Sequence, residues 1–380
     1  MTDLSIIMPC HNRAHDLLNV LVAYDTQLGD TNFELIAVDD ASTDNTYGLL
    51  SGYAPSRYSL KVHRLEKNCG PAAARNYGIE QAESPLILVV GDDILPDRKM
   101  VWGHMVAHKQ YPQQNIAILG KVVWPSNIPI NTLMQHIDGI GAQQFSYHYL
   151  KNGAEYDFRH FYTANISLKF AFLKQLDRLF DTDFRYAAYE DAELAYRLAQ
   201  HGLKIIYSSA ILGHHYHYHT IWSFSKRQFK TGVMANVFTA KHPRMQWKFR
   251  AQYIRIMKLL AKAAFFTHPL STMDIENIEH NACHLASNYE WHDNYALDSL
   301  YLGLLDYFYY DGVIQGLFKR SAIKQRIRSS HVYSYLLPTL QGFYVLARKK
   351  NIPVPRTMNT DPLEIINLCS ILNHTTDLMA

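Results

Sequence analysis

The chain has 380 residues, a formal charge of +3 and 48% hydrophobic residues, enough for two domains or one large domain with a substantial appendage. So small a net charge argues against nucleic acid as the main partner, and four widely spaced cysteines without a CxxC pair indicate neither a structural zinc nor a disulfide scaffold. The charge is nevertheless uneven: no Asp or Glu occurs from Leu194 to Met273, while Arg197, Lys204, Lys226, Arg227, Lys230, Lys241, Arg244 and further Lys and Arg residues do, which suits a phosphorylated ligand or an anionic membrane surface.

LSIIM (4–8) opens the chain as an apolar strand without the pattern of a signal peptide, and no apolar run approaches the roughly 18 residues that span a bilayer, so a reducing cytosol is expected. FELIAV (33–38), LKVHRL (60–65) and LILVV (86–90) read as further strands, with helical stretches near 14–27, 44–52 and 71–82 between them. This alternation predicts an α/β fold with a mainly parallel sheet and helices on both faces, in which ligands bind beyond the carboxyl ends of the strands. Polar residues suited to that place follow three strands: Pro9, His11, Asn12 and Arg13; Asp39 and Asp40; Asp92 and Asp93.

Two adjacent carboxylates at the end of a buried strand call for a nearby positive charge, and either a divalent cation or the amides of a helix start would provide it. Asp39 and Asp40 likewise fit a ligand site or the cap of the helix near Asp44. No GxGxxG follows the first strand and no GxxxxGK[ST] occurs, so dinucleotide-binding and P-loop readings are disfavoured, and a metal on the Asp pair remains a way to hold phosphates.

SIIMPCHNR (5–13), ELIAVDDASTDNT (34–46), NCGPAAARNYGI (68–79), LILVVGDDILPD (86–97) and YEDAELAYRLAQHGLKI (189–205) together resemble glycosyltransferase family 2, whose nucleotide-sugar-binding fold is called GT-A. The resemblance covers about residues 3–235 and implies an inverting transferase that moves a sugar from a UDP-sugar to a hydroxyl acceptor with Mn2+ or Mg2+. It places Pro9, His11, Arg13 and Arg75 against the nucleotide and Asp39 on the uracil N3 proton. The strand-end Asp-x-Asp motif appears as Gly91, Asp92 and Asp93: Asp93 is the expected metal ligand, Asp92 its helper on the nucleotide side, and Gly91 stands where a first carboxylate is expected.

Glu190 and Asp191 match the family's Glu-Asp motif, which implies Asp191 as the general base and Glu190 in acceptor binding; the helix macrodipole alone would also favour acids there. FYTANISLK (161–169) resembles the donor-sugar segment and offers Thr163 and Asn165. In GHHYHYH (213–219), alternation puts His215, His217 and His219 on one side and His214 on the other, and family register selects His214 as the metal-proximal histidine. Lys226, Arg227 and Lys230 are expected to neutralise the departing diphosphate, and the absence of QxxRW argues for adding one or a few sugars.

The expected organisation is a catalytic domain over 1–235 and a helical region over 236–380, with amphipathic FRAQYIRIMKLLAKAAFF (249–266) and Tyr-rich SLYLGLLDYFYYDGVIQGLF (299–318). That region reads as ordinary core, as an interfacial helix reaching a glycan or lipid-linked glycan acceptor at the inner face of the membrane, or as a homo-oligomer contact. Gly91 leaves open a catalytically silent sugar-nucleotide-binding or scaffold domain. A nucleotidyltransferase is disfavoured because PCHNR lacks the glycines expected after its first strand.

Overall fold

A computed structural model describes residues 2–139 and 144–243, together with Met245, Tyr301, Leu305, Phe308, Tyr309, Gly312 and Val313. In chain order the elements are β1 (Leu4–Cys10), α1 (Leu17–Asp25), β2 (Phe33–Asp39), α2 (Thr46–Gly52), β3 (Ser59–Arg64), α3 (Pro71–Glu80), β4 (Leu86–Val90), β5 (Ile94–Pro96), α4 (Met100–Gln110), β6 (Ile116–Val123) and α5 (Thr132–Asp138). There follow β7 (Glu155–Tyr156), β8 (Asn165–Lys169), α6 (Phe170–Leu173), α7 (Glu190–Ala199), β9 (Lys204–His215) and α8 (Ile221–Lys241).

The strands run in the order β3-β2-β1-β4-β8-β6-β9-β5, with β7 alongside β9. The first four pair in parallel, as the βα alternation requires. β8 then runs antiparallel to both β4 and β6, and β9 is parallel to β6. Two reversals restore the starting direction, so His215 at the end of β9 reaches the same sheet edge as the ends of β1, β2 and β4. The sheet is therefore mixed: its second half inserts antiparallel strands among the parallel ones.

Alternation along the strands sorts the core into two layers. On one face Ile7, Ile36, Val38, Ile87 and Val89 pack with Ala72, Ala74 and Ile79 of α3 and Leu194, Ala195 and Leu198 of α7. On the other, Leu4, Ile6, Met8, Leu35 and Leu88 pack with Leu17, Val20, Leu21 and Tyr24 of α1 and Met100, Val101 and Met105 of α4. Helices thus cover both faces, and the strands are apolar on both sides because neither face meets water.

The chain forms two compact units, one of Met1–Ile130 with Ala142–Tyr218 and one of Asn131–Gly141 with the residues from His219 onward. The sheet belongs to the first. In the second, Asn131 caps α5 by accepting the Met134 N–H at 2.8 Å, and Thr220 and Ser223 form a reciprocal capping box at the start of α8. The boundary expected at 235/236 falls inside α8, while 249–266 and most of 299–318 lie outside the described residues. Among the described residues no helix is long and apolar enough to cross a membrane.

Candidate functional site

The loops after β1 and β4 and the end of β9 bring His11, Arg13, Asp92, Asp93, His215 and His217 together. Asp93 lies between β4 and β5, directly before β5, and β5 turns back against β9 with Ile94 opposite His215 and Leu95 opposite His214. This register, with the Tyr216 N–H donating to the Asp93 carbonyl at 2.8 Å, sets the odd-numbered histidines toward the aspartate. His215 Nε2 lies 3.4 Å and His217 Nδ1 3.3 Å from Asp93 Oδ2. The three residues converge closely enough to ligate one cation, with ligand atoms within 4.8 Å of one another. His214, selected from the sequence, sits on the other side of the strand and is not part of this cluster. The correction follows from the period of two along a strand, which the sequence displayed without showing which side met Asp93.

Arg13 joins the two carboxylates: its Nε is 3.3 Å from Asp92 Oδ1, and its Nη2 donates to Asp93 Oδ2 at 3.2 Å. Burial pushes the Asp92 carboxyl up to about 6, against the pull of Arg13 and with the help of neighbouring Asp93. Burial also acts to raise Asp93, but His215, His217 and Arg13 outweigh it and hold that carboxyl well below the usual range. Two adjacent carboxylates are thus pushed apart by unequal access to positive charge. His215 is held from behind by Trp124, whose ring stacks on it at 5.1 Å and 11°. The sequence reading did not pick out Trp124, which follows directly on β6.

Gly91 has a physical role at the first position of the motif: a Cβ there would lie 2.7 Å from Asp93 Oδ1 and 3.3 Å from Ile94 Cγ1. Its lack of a side chain leaves room for the Asp93 carboxylate to face the histidines.

His11 Nδ1 donates to the Asp40 carbonyl at 2.9 Å, and its backbone N–H donates to Asp92 Oδ2 at 3.2 Å. Pro9 precedes them within β1 and is partly exposed. Asp39, at the end of β2, is fully buried: the Ser42 N–H donates to it at 3.2 Å and Arg64 Nε lies 3.2 Å from its Oδ2. These contacts hold the turn after β2 rather than cap a helix: α2 has Asn45 as its N-cap, without a side-chain cap hydrogen bond, while Arg64, which faces the Asp39 carboxylate, is 45% exposed. Asp40 accepts the Cys69 and Gly70 N–H groups at 2.7 and 2.8 Å and so fixes the entry to α3. Gly70 has φ +86 there, and a Cβ would come within 2.8 Å of the Arg185 carbonyl oxygen, so the turn requires glycine.

Arg75 and Glu190 depart from their expected roles. Their side chains, 7% and 3% exposed, form a 2.7 Å ion pair that ties α3 to α7. Arg75 also lies over the Phe180 ring at 5.4 Å. Burial among helices, rather than access to a nucleotide or acceptor, sets the chemistry of this pair. Asp191, next along the first turn of α7, is half-buried, and its Oδ1 accepts the Ala192 N–H at 2.7 Å.

Asn165 is likewise a correction. It is fully buried, and its amide is used up inside the fold: its Oδ1 lies 2.8 Å from His104 Nε2, and its Nδ2 donates to the Lys121 and Ile211 carbonyls at 3.2 Å each. Its polar atoms stitch β6, β8 and β9 rather than face a sugar. Thr163 is buried in the loop leading into β8. Lys226, Arg227 and Lys230 lie on α8, where Lys226 stacks over Trp222 at 4.8 Å.

Among the described residues, the non-glycine positions with left-handed φ are Asn12 (52°), Ala41 (52°) and Tyr189 (66°). Each borders residues singled out above: His11 and Arg13, Asp39 and Asp40, Glu190 and Asp191. Backbone of this kind persists at non-glycine residues where surrounding contacts over-determine it.

Residues 5–176 match the profile described as "Glycosyl transferase family 2". The chain is 38% identical over 97 residues to the poly(ribitol-phosphate) beta-N-acetylglucosaminyltransferase TarS of Staphylococcus aureus, 24% of this chain and 16% of that protein. It is 28% identical over 116 residues to the uncharacterized glycosyltransferase YfnE of Bacillus subtilis, 30% of this chain and 29% of that one. With the validoxylamine A glucosyltransferase of Streptomyces hygroscopicus subsp. jinggangensis it shares 29% identity over 228 residues, 54% and 53% of the two chains. The match thus spans less than a third of the length of the first two relatives. A crystal structure of TarS residues 1–349 with UDP aligns with a TM-score of 0.47 and 18% identity, covering 85% of this chain and 91% of that one. Over residues 5–176, fewer than half of its 380 residues, this chain is similar to glycosyl transferase family 2.

Proposed function

We propose that the protein is an inverting, metal-dependent glycosyltransferase that moves a sugar from a UDP-sugar to a hydroxyl acceptor in bacterial surface-glycan or glycoconjugate synthesis. The observation that carries this reading is the convergence of Asp93, His215 and His217 at the carboxyl edge of a family 2-like sheet, beside Arg13 and Asp92. One carboxylate and two imidazoles form a mixed oxygen and nitrogen donor set for a first-row divalent cation, of which Mn2+ is one, in preference to Mg2+, and their common focus fits a single cation. When bound, that cation would supply positive charge to the diphosphate leaving group.

The chain's own residues do the remaining work. Asp93, His215 and His217 would hold the metal. Arg13 and His11 border the diphosphate, and Asp39 serves the uracil N3–H when Arg64 releases it. Asp191 takes the proton from the acceptor hydroxyl as that oxygen displaces the diphosphate. A single displacement with no enzyme nucleophile inverts the anomeric configuration. Glu190, locked to Arg75, positions α7 and therefore Asp191. The region beyond residue 236 selects the acceptor.

The test is transfer from a panel of UDP-sugars by the wild type and Asp191→Asn, with UDP affinity measured on both. Loss of transfer with UDP affinity unchanged is expected. Transfer surviving in the variant would remove Asp191 as the base.

A further inference from the structure

We propose that Arg13 competes with the divalent cation for Asp93, and that a bound diphosphate relieves the competition by drawing the guanidinium to itself. The proposal rests on the metal reading above and adds a coupling between the two ligands of the site. Three nitrogens converge on one carboxylate oxygen: Arg13 Nη2 at 3.2 Å, His217 Nδ1 at 3.3 Å and His215 Nε2 at 3.4 Å from Asp93 Oδ2. The imidazoles can present lone pairs to a metal. The guanidinium cannot, because it is a permanent cation with donors only. A dication ligated through Oδ2 would therefore stand next to a positive charge sharing the same oxygen, inside a partly buried site where water screens poorly.

The geometry also shows what can move. The Arg13 backbone is pinned: its N–H donates to Thr46 Oγ1 at 2.7 Å, and its carbonyl accepts the Asp16 and Leu17 N–H groups at the start of α1. Its side chain is 21% exposed, so a rotamer change leads it outward without disturbing the strand edge. Asp92 and Asp93 attract the guanidinium with two carboxylates, and a nucleoside diphosphate offers a competing anion of similar charge and bidentate geometry. Nucleotide and metal consequently favour each other's binding beyond any direct bond between them, and the coupling is reciprocal.

Mn2+ binding is measured by calorimetry, with free Mn2+ followed by electron paramagnetic resonance, on the wild type, Arg13→Gln, Arg13→Lys and Asp93→Asn, each with and without UDP. Without UDP, Arg13→Gln is expected to bind Mn2+ at least tenfold more tightly than the wild type, with Arg13→Lys in between. UDP ligates Mn2+ itself in every case, so the decisive quantity is the factor by which UDP raises Mn2+ affinity, expected to be smaller in Arg13→Gln. Should Arg13→Gln fail to fold, as judged by circular dichroism, Arg13→Lys carries the same comparison. Equal Mn2+ affinity in the wild type and the Arg13 variants, with binding lost in Asp93→Asn, overturns the competition and leaves the metal site standing. Absence of Mn2+ binding in every protein overturns the metal reading and the competition with it.

Discussion

The buried pair between Arg75 and Glu190 gives a quantitative test of how the Glu-Asp motif is built. Arg75 Nη1 and Glu190 Oε1 lie 2.7 Å apart, and the two side chains are only 7% and 3% exposed. Among the described residues Arg75 Nε and Glu190 Oε2 have no hydrogen-bond partner, so a single contact joins the two charges. At an effective dielectric constant of about 20, unit charges about 4 Å apart attract by about 4 kcal/mol. Removing one partner of such a pair costs about 3–5 kcal/mol because the other charge stays buried alone, whereas an apolar replacement of both is often close to neutral.

Arg75→Met should therefore destabilise the protein by about 4 kcal/mol. Glu190→Gln keeps an acceptor for Arg75 but strands its charge, and should cost about 2–3 kcal/mol. The double variant Arg75→Met with Glu190→Gln should be more stable than Arg75→Met alone. Urea unfolding of the four proteins closes the double-mutant cycle, read at constant slope. Single losses below about 1 kcal/mol that simply add would show that water screens the pair, and the argument that Glu190 is committed to α3 would fail.

Other consequences follow from individual residues. Gly91→Ala places a methyl group where the Asp93 carboxylate lies, and should weaken Mn2+ binding roughly tenfold, or about 1.4 kcal/mol. Gly91→Asp completes an Asp-x-Asp pattern on paper yet should weaken binding as well; tighter Mn2+ binding by calorimetry would contradict the packing argument. Ala41 has φ 52°, a region that disfavours a Cβ, so Ala41→Gly should gain about 1 kcal/mol in urea unfolding, and a loss would show that no strain is stored there. His104 is fully buried, and burial lowers its pKa from 6.5 to about 4, so the unfolded chain binds its proton first as pH falls. Stability should therefore decline by about 3 kcal/mol as pH drops from about 6.5 to about 4, and His104→Gln should flatten that slope; identical slopes in both proteins would refute the assignment.

The first, second and fourth strands were legible as short, mostly apolar runs bounded by polar or turn residues, whereas β3 carries Lys61, His63 and Arg64 among its apolar residues, and the helices between them follow from the same alternation. LSIIM extends in the structure to Cys10 and FELIAV to Asp39, since backbone pairing continues beyond the apolar residues. The antiparallel insertion of β8 was not legible, because pairing partners distant in sequence leave no periodic trace. The site shows the same division. Asp92 and Asp93 stood out as adjacent carboxylates after a buried strand. The partners of Arg75, Asn165 and Asp39 did not, because whether a polar side chain faces a ligand or a neighbouring element is decided by tertiary packing. The histidine pair was visible as alternation in GHHYHYH; only the pairing of β5 with β9 shows which side meets Asp93.

The central claim is that Asp93, with His215 and His217, forms a metal site serving a nucleotide-sugar diphosphate. Calorimetric titration of UDP with and without Mn2+, on the wild type and Asp93→Asn, tests it most directly. The account predicts that Mn2+ strengthens UDP binding in the wild type and that the variant, still folded, loses this enhancement. UDP binding that ignores Mn2+ in the wild type, or an enhancement that survives in Asp93→Asn, would contradict it.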